Sequence, residues 1–387
     1  GAPVGTAGGA GGGLQRQALD GSLLWDFRYD QNGNWSHHDI EPLPNGNVLM
    51  IAWETKTPAE AIAAGRNPAW AGAAFRPDHI IEVQQTGPTT GAIVWEWHAW
   101  DHLIQDFDPN KANFGVVRDH PELLDVNYPP VGIPGDWIHS NGIDYDPVND
   151  WIVVTSRHLS ELWVIDHSTT TAEAAGHTGG NHGMGGDILY RWGNPAAYQR
   201  GTAANQTLFG PHAPQVIAPG YPGAGNVLLY NNGAPGGSTV DEIVLPLDAS
   251  NRFILPPGQP YGPAAPVWSF GQGVSSPIVS SAERAANGNT LICNGQPGAL
   301  VEIDAAGQTV WTHSRFGSIF HAHYVETDLW ADKETQATPE VVGEAALRQW
   351  LFAAPFWRDR APLAKRRSGP AMVQRRLDGS SIRMGDR

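Results

Sequence analysis

Three histidines stand at matching places in the chain. His38 opens HDIEPLPNGNVLM, His139 opens HSNGIDYDPVNDWIVV and His212 opens HAPQVIAPGYPGAGNVLLY. A fourth copy, SSPIVSSAERAANGNTLICNG from Ser275, has a serine there, and the C-terminal FHAHY carries His321 and His323. Grouped imidazoles suit two chemistries. They ligate zinc, copper or iron, with Asp39 and Glu41 adding oxygens. They also act as nucleophiles, acids and bases near neutral pH. Two neighbours favour the second. Asn141 lies two residues after His139, so on a strand both point to one face. Arg157 ends the next strand, VVTSRH, and an antiparallel return brings it back to the same end. An amide and a guanidinium fork suit a tetrahedral oxyanion, and a guanidinium is a poor neighbour for a metal ion.

The elements that must position these residues are repeats. Each unit has a first strand, an Asn-Gly or Gly-Asn turn, a short apolar strand, an "E-I"-type strand, a Gly turn and a Trp-bearing strand. Four short strands per unit with turns between predict an all-β fold, a β-propeller. Inner strands of a propeller line its channel and run in one direction, so the three histidines are expected at one mouth. LQRQALDGSLLWDFRYD, from Leu14, supplies only two outer strands, and FHAHYVETD, from Phe320, only an inner one. With these two halves, five blades are countable. The expected domains are a flexible Gly/Ala-rich segment over 1–13, the propeller over 14–328, and a C-terminal helix with a basic extension over 329–387. Within the last, 339–353 (PEVVGEAALRQWLFA) has helical spacing, with Pro339 in its first turn.

Composition narrows the function. Gly (46) and Pro (31) make up about a fifth of the 387 residues, and Trp is abundant at 16. That argues against a helical bundle. Only four lysines occur and none follows a glycine, so no Walker-type phosphate loop is present. The net charge is −15, which makes nucleic acid an unsuitable partner. The charge is uneven, with 358–387 at +6 and the remainder at −21. The single cysteine, Cys293, excludes an internal disulfide, and no apolar run is long enough for a transmembrane segment. Asp144, Asp146 and Asp150 in DYDPVND read as turn residues, because the acidic twelfth position of a calcium loop is missing.

The segments HHDIEPLPNGNVLMIAWE, DWIHSNGIDYDPVND, SRHLSELWVIDHSTTTAEAAGHTGG, GDILYRWGNP and NGNTLICNG resemble the bacterial arylsulfotransferase family. The resemblance spans about 14–325. It implies a periplasmic or secreted six-bladed propeller without a cofactor. Such an enzyme moves a sulfuryl group from a phenolic sulfate ester to a phenol acceptor, needs no nucleotide donor and works through a sulfohistidine. On this resemblance His212 in FGPHAPQ is the nucleophile. His139 and Asn141 are the H-x-N pair, Arg157 binds the sulfuryl oxygens, and His38 is the first-blade histidine. Trp35, Trp137 and Tyr128 are expected to flank an aryl ring. The chain departs from the family in having Ala213 rather than aspartate after His212.

Two other readings stand beside this one. The departure after His212 and the basic tail fit a non-catalytic secreted propeller used for assembly or recognition. The histidines fit a metal-dependent hydrolase on the same ring. An open six-bladed arrangement is expected, rather than a five-bladed ring sealed by pairing 20–28 with 320–325. An open edge or the basic tail would then dock a second copy or a partner chain.

Overall fold

The computed structural model describes residues 8–18, 20–129, 132, 135–314 and 317–325, with the backbone of 373–376 and 381–383. The expected helix over 339–353 and most of the basic tail lie outside these residues. No helix among the described residues is long and apolar enough to cross a membrane.

Two strands come first, β1 (Gly13–Gln17) and β2 (Leu23–Arg28), paired with each other. Blade one follows: β3 (Trp35–Pro42), β4 (Val48–Trp53), β5 (Asp78–Gln85) and β6 (Gly91–His98). A long excursion contains the short parallel pair β7 (Leu103–Ile104) and β8 (Leu124–Asp125). Blade two is β9 (Ser140–Asp146), β10 (Trp151–Ser156), β11 (Glu161–Asp166) and β12 (Tyr190–Trp192). Blade three is β13 (His212–Val216), β14 (Val227–Asn231), β15 (Thr239–Ile243) and β16 (Trp268–Phe270). Blade four is β17 (Ser281–Arg284), β18 (Thr290–Asn294), β19 (Ala299–Ile303) and β20 (Thr309–Ser314). Last come β21 (Ala322–Val325), β22 (Val373–Arg376) and β23 (Ser381–Arg383), in one sheet. Among the described residues β2 pairs only with β1, and β21 pairs with β22, so 20–28 and 320–325 are not joined.

The sequence grammar has a physical cause. In blades one, three and four the last asparagine of the tight turn donates Nδ2–H to the glutamate of the third strand. The pairs are Asn47 to Glu82, Asn226 to Glu242 and Asn289 to Glu302. Gly46, Gly225 and Gly288 supply the positive φ these turns need. In blades one and two the recurring tryptophan ties the outer strand to the following blade. Trp97 Nε1–H donates to the Gly186 carbonyl at 2.6 Å and Trp192 Nε1–H to the Pro263 carbonyl at 2.7 Å.

The core lies between the blades, which makes this a propeller rather than a sandwich. Alternate residues of one strand serve different interfaces. On β10, Ile152 and Val154 pack with Ile51, Ile80 and Trp97 of blade one. Trp151 and Val153 of the same strand pack with Val227, Leu229 and Ile243 of blade three. Blade three in turn meets Ala282, Ile292 and Ile303 of blade four. Successive inner strands touch in the order β3, β9, β13, β17, β21.

A chain of latches follows that order. Asp39 accepts the N–H of Ile143, Asp144 that of Val216, Gln215 that of Arg284 and Glu283 that of Tyr324. Each inner strand offers a side-chain oxygen to the backbone of the next. Burial pushes the Asp39 carboxyl up to about 7 and raises Asp144 as well.

Candidate active site

Each inner strand of the four blades has left-handed backbone at or near its start: His38 (φ 55°), His139 (φ 54°), Ala213 (φ 48°) and, in blade four, the pair Val279 (φ 52°) and Ser280 (φ 94°). Such backbone costs about 1–3 kcal/mol per residue and gathers at functional sites. It shifts the pairing register at Ser36/Ile40, Thr155/Ser156 and His212/Gln215. The kink corrects one alignment. His212 precedes its left-handed residue, so by backbone it matches His37 rather than His38 and His139. Sequence shows residue types and not φ, and the neighbouring histidine in HHD hid the offset.

The structure brings His38, His139, His212 and Arg157 together. The His38 and His139 rings lie 4.5 Å apart, edge to face. Gly142 draws blades two and three close, because a Cβ there would sit 2.5 Å from the Ala213 nitrogen. His38 is held well below the ordinary histidine range by burial, with His139, His37, His212 and Arg157 adding to the effect.

Each of the three rings has its Nδ1 engaged. His38 Nδ1 shares a 2.8 Å hydrogen bond with His37 Nδ1. His139 Nδ1 meets Asp136 Oδ2 at 2.5 Å. Asp136 also accepts from Trp53 Nε1–H, and its backbone carbonyl accepts from His158 Nδ1–H at 2.8 Å. Burial alone would raise Asp136, but the hydrogen bond and charge of His139 hold it below the usual carboxylate range. The His158 ring stacks on His139 at 4.6 Å.

His212 is the most constrained. Its Nδ1 lies 2.6 Å from Asn232 Oδ1 and 3.2 Å from the Gly210 carbonyl. Both oxygens only accept, so Nδ1 carries the proton and Nε2 keeps its lone pair. The Asn232 amide is itself oriented, since its Nδ2 donates to the carbonyls of Ser276 and Val279. Burial, reinforced by the Arg157 guanidinium, pushes His212 down to about 3. Among the described residues, Nε2 of His38, His139 and His212 has no hydrogen-bond partner.

Two donors are uncommitted. Asn141 is buried; its Oδ1 accepts from Thr155 Oγ1–H at 2.9 Å, and its Nδ2 has no partner among the described residues. Arg157 makes one long side-chain contact, 3.5 Å to the Pro277 carbonyl, and its other four N–H donors have no acceptor among the described residues. Burial lowers its pKa, a cost that Asp136 partly offsets.

Sequence reasoning missed Asn232, Asp136 and His158. Asn232 lies in YNNG, whose Asn-Gly pair signals only a turn, and Asp136 carries only the weak signal of an acid three residues before a histidine. Trp137 is not a substrate platform, because it packs in the core against Phe75 at 5.2 Å. Tyr128 lines an open cavity of about 660 Å³ with Trp70 and Phe107. The acids of DYDPVND diverge. Asp144 latches blade three, Asp146 caps its own turn and Asp150 accepts from Tyr145 and His167.

The arylsulfotransferase (ASST) family profile matches residues 14–313. No curated protein matches the sequence. The chain is similar to a solved structure of a protein of unknown function from Bacteroides caccae, at 16% identity and a TM-score of 0.43, covering 81% of this chain and 80% of that one. It is also similar to the β-propeller domain of Cps50 (Swd1) from Myceliophteria thermophila, at 10% identity and a TM-score of 0.36, covering 80% and 87%. A third is the periplasmic gluconolactonase PpgL of Pseudomonas aeruginosa, at 12% identity and a TM-score of 0.34, covering 79% and 77%. The propeller stands on the sheets described above, and the profile match runs along the stretch that builds them: this chain belongs to the arylsulfotransferase family.

Proposed function

We propose that the protein transfers a sulfuryl group from a phenolic sulfate ester to a phenol through a sulfohistidine at His212. One observation carries this reading. Asn232 fixes the proton on Nδ1, and burial keeps the ring neutral, so Nε2 is a lone pair ready to attack at neutral pH. In the first half-reaction Nε2 attacks sulfur, an N–S bond forms and the S–O bond to the aryl group breaks. The phenolate would take a proton from His139, which Asp136 orients through Nδ1. Arg157 and the free Asn141 amide would hold the sulfuryl oxygens as charge shifts onto them. In the second half-reaction the acceptor phenol gives its proton to the same base as its oxygen attacks sulfur. The N–S bond then breaks, and the lone pair returns to Nε2.

The reading carries with it an extracytoplasmic location, phenolic partners and a six-bladed ring. Incubation with 4-nitrophenyl sulfate alone, followed by peptide mass spectrometry, tests it. The expected product is one sulfuryl group on the peptide bearing His212. Label on another residue, or full turnover in His212→Ala, would sink the idea.

A further inference from the structure

A second histidine cluster lies outside this site. His102 follows the short 3₁₀ turn Ala99–Asp101 that leaves blade one. His177 and Asp187 come from the glycine-rich excursion between β11 and β12 of blade two. His102 Nδ1 lies 2.8 Å from Asp187 Oδ1, and His177 Nδ1 lies 2.7 Å from the same oxygen. His102 and Asp187 are buried, whereas His177 is exposed.

The protons make this arrangement informative. His102 Nε2 faces the Ala174 carbonyl at 2.9 Å, which only accepts, so the ring proton sits on Nε2. That leaves the Nδ1 lone pair aimed at a carboxylate oxygen. Two negative ends face each other unless a positive species joins them. A second proton on the ring would do so, and so would a cation. An imidazole whose other N–H is held by a backbone carbonyl is the usual outer support of a metal-ligating histidine. The ring is further fixed by stacking on Trp97 at 5.6 Å, 6° from parallel.

The surrounding chain is shaped to close this point. Gly186 passes so near Ala174 that a Cβ would lie 2.0 Å from the Ala174 carbonyl oxygen and 2.7 Å from His102 Nε2. Only glycine lets the excursion fold back and set Asp187 against His102.

We infer that His102 Nδ1, His177 Nδ1 and Asp187 form a structural site for a zinc-class divalent cation, stapling blade one to blade two. The three ligand atoms lie within 4.8 Å of one another. Two nitrogens and one oxygen suit zinc rather than calcium or magnesium, and the exposed His177 side leaves room for a water as fourth ligand. Binding displaces the proton between His177 Nδ1 and Asp187 to solvent. Among the described residues the other grouping of this kind, Asp136, His139 and His158, has the Arg157 cation beside it.

Calorimetric titration of the dialysed full chain with zinc chloride tests the proposal. One zinc per chain is expected, with the thermal midpoint raised. His177→Ala removes an exposed ring, keeps the fold, and should weaken binding at least tenfold and abolish the thermal shift. Asp187→Asn should act alike, and His158→Ala should leave binding unchanged. Absence of saturable binding overturns the site. So does zinc affinity that survives His177→Ala, or that is lost only in His158→Ala.

Discussion

The two histidine clusters differ in which ring nitrogen the protein occupies. In the first cluster Nδ1 of His38, His139 and His212 is engaged and Nε2 has no partner among the described residues. Between blades one and two, Nε2 of His102 is engaged and its Nδ1 converges with that of His177 on one carboxylate oxygen. Beside the first cluster stand the Arg157 guanidinium and an Asn141 amide N–H with no partner among the described residues, whereas in the second the two rings converge on a carboxylate. On the two readings proposed above, the same side chain serves group transfer in one place and a cation in the other. Partners on the far side of each ring decide this, and sequence spacing does not.

The largest effect expected from breaking this contrast is at the proposed nucleophile. His212→Ala should lower kcat by about 10³-fold or more with the fold retained, as followed by circular dichroism and turnover of an aryl sulfate. Arg157→Lys comes next. It keeps the charge but loses the fork, and kcat/KM should fall about 10²-fold.

Asn232 sharpens the comparison further. Asn232→Asp replaces a neutral acceptor with a carboxylate, which favours a protonated His212 and raises its pKa from about 3. The acid limb of the rate profile should move to higher pH, and a profile unchanged from wild type would remove Asn232 from its positioning role. His177→Ala, in the other cluster, should leave turnover within about twofold of wild type.

The smallest effect concerns stability and pH. His38 and His212 have depressed pKa values, so their contribution is present above the unfolded value near 6.5 and is lost as pH falls below it, for His212 as pH approaches about 3. Asp39 runs the other way. Its pKa is raised to about 7, so its contribution is full below about 4 and is lost as pH rises through 7. Asp39→Asn keeps the oxygen that accepts the Ile143 N–H and removes the charge. It should stabilise on the order of 1 kcal/mol at pH 8 and add little at pH 5, read from urea midpoints.

Much of the fold was legible because the turns repeat. Asn47, Asn226 and Asn289 each mark a turn, and each has its glutamate on the third strand. The histidines were legible because they recur at strand starts. The one-residue offset of His212 was not, since a left-handed Ala213 looks like any alanine in sequence. Nor was Asn232, which lies 20 residues from His212 and meets it only across the β13–β14 pairing. The latches were hidden for the same reason. Asp39 and Ile143 are 104 residues apart, and nothing local in either segment announces the other.

Those latches have a direction. In all four, the earlier strand supplies the oxygen and the later one the N–H. A chain emerging from the ribosome would therefore finish each blade with its acceptor already in place. The next inner strand would find a docking point the moment it was made. Until then the acceptor stays hydrated at no cost, because desolvation falls due only when its partner arrives. The order of synthesis and the order of docking coincide, and a duplicated blade would bring its own half of the next joint. Growth of such a ring by repetition needs no new interface to be invented.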